Sequence, residues 1–158
     1  MKNITINGEN YILEYTFEAA QYRDLVQTMF NIKSGSFVAK RAVTSQGYVD
    51  EESASVRAMF DGVSDMVAEV PHVCITAFYA GLLENNPVTQ VESKILMKTY
   101  MKENSLTFDD LYNELNSCME DDGFFDLSGL TATLKQMNDA AEGKTKKPAT
   151  RKKSASTK

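Results

Sequence analysis

One histidine and two cysteines are all that this 158-residue chain offers in soft metal ligands. His72, Cys74 and Cys118 cannot supply a zinc site with the usual His/Cys ligand set, and neither thiol belongs to a Cys-x-x-Cys pair. Both cysteines fall in segments with a helical pattern, where buried free thiols are expected in preference to a disulfide. Glycine-rich phosphate loops are also missing, since Gly8, Gly35, Gly47 and Gly62 stand singly. No apolar run approaches the roughly 20 residues needed to span a bilayer. Met1-Lys2-Asn3-Ile4-Thr5 alternates polar and apolar residues, unlike the continuous apolar segment of a signal peptide, so a cytoplasmic protein is expected. Around His72, beside Pro71 at a helix start, no nucleophile or acid motif is recognisable, and it reads as a surface or capping residue. Glu120-Asp121-Asp122-Gly123 fails as a calcium loop: with Gly123 at position six, Cys118 and Gly129 would occupy the first and last ligand positions. The sequence therefore predicts no catalytic residue, no metal and no cofactor.

What is present suits a binding protein. Hydrophobic content of 42% and charged content of 25% are ordinary for a globular chain, and the length suits one domain with a sizeable core. Charge divides the chain. Residues 143–158 hold seven basic residues and no acid, which leaves ten basic residues against 22 acids and a net charge of about −12 on residues 1–142. A body of that charge repels a phosphate backbone.

The opening is the most specific segment. Ile4-Thr5-Ile6-Asn7-Gly8-Glu9-Asn10-Tyr11-Ile12-Leu13-Glu14-Tyr15 sets two β-rich runs around Asn7-Gly8, a strong hairpin signal because both residues tolerate positive φ. Ile4 and Ile6 face inward together with Ile12, or with Tyr11, Leu13 and Tyr15, depending on register. A lone hairpin is marginal in water and must lie on a helix or on another chain, and its unpaired edges permit strand addition. Helical spacing then follows at once, from about Phe17 to Ile32, with Thr16 as candidate N-cap and Ser34-Gly35-Ser36 as stop. Phe37-Val38-Ala39 and Tyr48-Val49 suit a second strand pair. Val56, Met59, Phe60, Val63, Met66, Val67 and Val70 form the clearest stripe, read as core-facing, with Pro71 ending or kinking that helix. Val73 to Leu83 is apolar nearly all round, as a central buried helix requires. Thr89 with Glu92, and Thr107 with Asp110, make capping boxes for two further helices, the second burying Phe108, Leu111, Tyr112, Leu115 and Met119. A last helix uses Leu127, Leu130, Leu134 and Met137. The expected fold is mainly α (α+β): an N-terminal hairpin and five or six helices over residues 1–142, then a disordered basic tail over 143–158 whose apolar residues are too few to offset chain entropy.

Candidate contacts are few. Phe124-Phe125 sits outside any stripe, and adjacent side chains point different ways, so both are buried only if the loop is enclosed; otherwise they meet a partner. Met59 and Met66 fill a core or form an adaptable partner groove. Lys146, Lys147, Arg151, Lys152 and Lys153 form either a polyanion-binding arm or a solubilising extension, and the tail has no aromatic residue to stack on bases. A nucleic-acid accessory role through this tail is the alternative to a protein-binding role.

The layout Ile4-Thr5-Ile6-Asn7-Gly8-Glu9-Asn10-Tyr11, a second strand, and then Tyr15-Thr16-Phe17-Glu18-Ala19-Ala20 resembles the start of the tail assembly chaperones of long-tailed (siphovirus-like) bacteriophages. The likeness covers about the first 35 residues, together with the size, acidity and helical layout. It implies a non-catalytic protein of the host cytoplasm, absent from the finished virion. Such proteins coat the tape measure protein, keep it soluble and help tail tube subunits polymerise around it. The resemblance further implies that a frameshifted longer form places the basic tail at a linker. It carries over no binding residue, and self-association is compatible with it.

Overall fold

The structure, a computed structural model, describes residues 1–36 and 51–141. It is mainly helical, with an N-terminal two-stranded antiparallel hairpin followed by seven helices among the described residues. Strands β1 (Lys2–Ile6) and β2 (Glu9–Leu13) pair from Ile6↔Glu9 at the turn to Lys2↔Leu13 at the open end. Asn7 (φ 51°) and Gly8 (φ 81°) both take positive φ, which gives the two-residue loop the twist its strands need. Of the two registers open to the sequence, the hairpin adopts the one that buries Leu13 and Tyr15 beside Ile4 and Ile6, and leaves Tyr11 and Ile12 half-buried.

The continuous helix expected from Phe17 to Ile32 is broken in two, α1 (Phe17–Gln21) and α2 (Arg23–Lys33). Tyr22 between them is extended (φ −76°, ψ 93°), although neither glycine nor proline is near. Its ring stands edge-on to Tyr79 with centroids 5.4 Å apart, and its hydroxyl accepts from the Gln90 amide at 2.9 Å. A tertiary contact therefore overrides the local pattern. Thr16 precedes α1 without making a side-chain cap. The expected strand pair at 37–39 and 48–49 lies outside the described residues, as does the tail at 143–158.

Helix α3 (Glu51–Leu82) runs 32 residues, about 48 Å, straight through Pro71. Its residues after Pro71 form the centre of the core: Val73, Cys74, Ala77, Phe78, Ala80 and Leu82 are buried. Around them pack β2, α2, α4 (Gln90–Glu103) and α5 (Phe108–Asp121). Both capping boxes form as the spacing predicts: Thr89 Oγ1 accepts from the Glu92 N–H and Thr107 Oγ1 from the Asp110 N–H, each at 3.2 Å, with the carboxylates returning the bond. On α5, Leu111, Leu115 and Met119 are buried, Tyr112 is half-buried, and Phe108 lies at the surface. Short α6 (Phe124–Leu127) and α7 (Leu130–Ala141) close the fold. α7 buries Leu130, half-buries Leu134 and leaves Met137 exposed; Leu127, at the end of α6, is exposed too.

The hairpin is bolted to the end of α3. The Glu14 N–H donates to the Gly81 carbonyl at 2.9 Å, the Ile12 N–H to Asn86 Oδ1 at 2.8 Å, and the buried Tyr15 hydroxyl to the Ala77 carbonyl at 3.0 Å. Tyr15 lies so close to α3 that a Cβ on Gly81 would stand 2.8 Å from Tyr15 Cζ and 2.9 Å from Oη. Gly81→Ala should therefore lower the melting temperature. The helix-propensity gain of about 1 kcal/mol is outweighed by overpacking of about 1–3 kcal/mol against a ring that cannot retreat. A raised melting temperature would contradict this contact.

Candidate functional site

Reactive groups are buried or scattered. Both cysteines are free thiols in the interior. Burial, reinforced by the charge of Asp109, pushes the Cys74 thiol up to about 12, and burial also raises Cys118. Cys74 Sγ contacts the Phe108 carbonyl at 3.4 Å. Tyr15, fully enclosed, is raised well above the ordinary phenol value, chiefly by desolvation. His72 is exposed on α3. Among the described residues no three His, Cys, Asp or Glu side chains converge to hold a metal, and no helix is long and apolar enough to cross a membrane.

The hairpin edge is less open than its sequence suggests. On the outer side of β2 the N–H groups of Ile12 and Glu14 are taken by Asn86 and Gly81, and beyond them Tyr15 donates to Asp122 at 2.9 Å. Because Ile12 donates outward, its partner Asn3 and, two residues on, Thr5 also turn their backbone groups away from the ladder. That stretch of β1 is bracketed: the Asn7 N–H is held by the Glu103 carboxylate at 3.2 Å, and the Met1 ammonium pairs with Asp122. Among the described residues this leaves Asn3 and Thr5 on the β1 edge and Asn10 on the β2 edge, on either side too short a template for a stable added strand.

Helix faces carry the open apolar surface. The stripe read as core-facing on α3 is largely solvent-facing instead: Val56, Met59, Phe60, Val63 and Val67 are 42–65% exposed, while Met66 and Val70 are half-buried. Periodicity reports that a helix is amphipathic, not what covers its apolar side, and the described elements bury the part of α3 beyond Pro71. Of the residues singled out for partner contact, Met59 is thus presented to solvent and Met66 partly so. Phe124 and Phe125 are not. They are buried, edge-to-face with each other at 5.5 Å, with Phe124 edge-on to Tyr15 at 6.2 Å and Lys33 Nζ 4.0 Å over the Phe125 ring. The loop is enclosed, because Gly123 (φ 70°) and Gly129 (φ 76°) turn the chain sharply on either side of α6. Lys146, Lys147, Arg151, Lys152 and Lys153 lie outside the described residues.

Two features were missed by the sequence reading. One is the outer face of α4, where Val91 and Ile95 are exposed among lysines, a pattern that shows only when charge and apolar spacing are taken together on one helix. The other is a pair of shallow grooves flanking α7, of about 540 Å³ against Val26 and Phe30 of α2 and about 350 Å³ against Lys33 and Phe125. These arise where segments distant in sequence meet, and no local pattern announces them.

With a thiol raised to about 12, roughly one Cys74 in 10,000 is thiolate at pH 8. Neither cysteine should react with iodoacetamide in the native protein over the time that consumes free cysteine, and both should react in guanidinium; rapid labelling of the folded chain would contradict their burial. Comparison of the chain with known protein families, with characterised proteins and with solved structures finds no match.

Proposed function

We propose that the chain is a non-catalytic assembly chaperone of a long-tailed phage: it binds the helical tape measure protein in the host cytoplasm, keeps it soluble, promotes assembly of tail tube protein around it, and does not remain in the virion. The observation that supports this reading is the uncovered stripe on α3. Val56, Met59, Phe60, Val63 and Val67 follow the i, i+3, i+4, i+7, i+11 spacing with which one amphipathic helix meets another. Contiguous exposed apolar surface of this kind marks interaction sites. Met59 and Met66 add side chains that adapt to irregular partner surfaces. The net charge of about −12 on residues 1–142 keeps a complex with a greasy partner in solution.

Co-expression with the tape measure protein of the same genome tests this. The partner is expected in the soluble fraction with the wild-type chain, and in the pellet with the double variant Phe60→Asp, Val67→Asp. Both positions are exposed, so the variant's own stability should change by no more than about 0.5 kcal/mol per site. A partner that precipitates equally with and without the wild-type chain would refute the proposal.

A further inference from the structure

Helix α4 has an outer face unlike the rest of the acidic body. Ser93, Met97 and Tyr100 turn inward and are buried. Opposite them Val91, Lys94, Ile95, Lys98 and Lys102 follow one another at i, i+3, i+4, i+7 and i+11, all exposed, with Val91 at 68% and Ile95 at 62%. The two acids of the helix are already engaged at its flanks. Glu92 closes the capping box on Thr89, and Glu103 holds the Asn7 N–H. Among the described residues no ion pair or side-chain hydrogen bond engages the ammonium groups of Lys94, Lys98 or Lys102. The face therefore carries three uncompensated positive charges, spaced about 6 Å apart along the axis, beside two bare aliphatic side chains.

We propose that this face of α4 docks an acidic amphipathic helix, one whose apolar stripe covers Val91 and Ile95 and whose flanking carboxylates, also a turn apart, meet Lys94, Lys98 and Lys102. As an account of which partner segment is gripped, it rests on the chaperone reading; as a statement about the face, it is tested without it. A helix fits better than a phosphate backbone. A phosphate backbone leaves the two aliphatic residues with nothing apolar to meet, and no aromatic side chain lies in the stripe for base stacking. A helix satisfies both halves of the pattern, since apolar residues at i and i+4 with acids beside them reproduce its spacing on the opposite surface.

The test uses the full-length chain and a fluorescein-labelled helical peptide of about 20 residues, with leucines along one stripe and glutamates flanking it. A control peptide carries lysines in place of the glutamates. The acidic peptide should bind, the basic one should not, and binding should weaken as salt rises. Lys94→Glu with Lys98→Glu should weaken it at least about tenfold, as should Ile95→Asp, while Lys94→Arg with Lys98→Arg retains it. Phe60→Asp on α3 should leave this binding unchanged. The proposal is overturned if both peptides bind alike, if charge reversal has no effect, if duplex DNA displaces the peptide from the same lysines, or if the wild-type chain is an oligomer that Lys94→Glu with Lys98→Glu converts to monomer. A wild-type chain that binds the acidic peptide but fails in co-expression removes the chaperone reading and leaves this face. Success in co-expression by the doubly reversed variant leaves the chaperone and removes this face from its grip on the partner, while the peptide titration alone decides whether the face binds an acidic helix.

Discussion

The close approach of Tyr15 to the backbone of α3 at Gly81 determines where everything else in the fold sits. A β-hairpin of five-residue strands has too little surface to be stable alone. Here three hydrogen bonds and one enclosed aromatic ring tie it to the end of α3 and the turn that follows it. That join in turn places Leu13 and Tyr15 against Phe78, Leu82 and Phe124 in one core, with α4 and α5 packed on the same segment. The glycine is required by distance rather than by conformation, since it lies inside a regular helix and what it lacks is the Cβ that Tyr15 would strike. Desolvation of the Tyr15 hydroxyl is tolerated because a backbone carbonyl receives its proton.

Beyond this core the surface separates into distinct regions. The residues of α3 before Pro71 present an apolar stripe, α4 presents cations beside aliphatic side chains, and α5 is rich in acids, from Asp109 and Asp110 to Glu120 and Asp121. An ion pair and a hydrogen bond draw on that acidic helix: Lys2 meets Glu114 at 2.8 Å, and the Tyr100 hydroxyl donates to the same carboxylate at 2.5 Å; burial first, and this bond second, raise the Tyr100 phenol. The α4 lysines are left outside this internal pairing.

Much of the fold was legible in the sequence because its signals are local. The Asn7-Gly8 turn, both capping boxes and the all-round apolar run from Val73 each depend on neighbours within a few residues, and each appears in the structure as its chemistry predicts. What failed was decided at long range. Tyr22 leaves the helix because Tyr79 and Gln90 hold it. Pro71 does not end α3, because tertiary packing on the following residues keeps the helix running despite one missing bond. Of the two fates open to Phe124 and Phe125, core or partner, enclosure is decided by glycine turns that bring α6 under Tyr15 and Lys33. The sense of the α3 stripe, inward or outward, depends on which elements reach it, and periodicity carries no information on that point. For the candidate surfaces, the α4 face is a local pattern of lysines and aliphatic residues whose exposure only the fold reveals, whereas the grooves beside α7 exist only once the chain is folded.

Pro71 has a further consequence. Lacking an N–H, it leaves the Val67 carbonyl without its helical donor at the junction between the exposed and buried parts of α3. Before that junction the described side chains contribute almost nothing to the interior; after it they form its centre. Fraying that begins at the N-terminal end of α3 therefore meets little resistance until it reaches the proline, and stops there. Deuterium uptake along this one helix should accordingly split into two classes, fast before residue 71 and as slow as global unfolding from Val73 to Leu82.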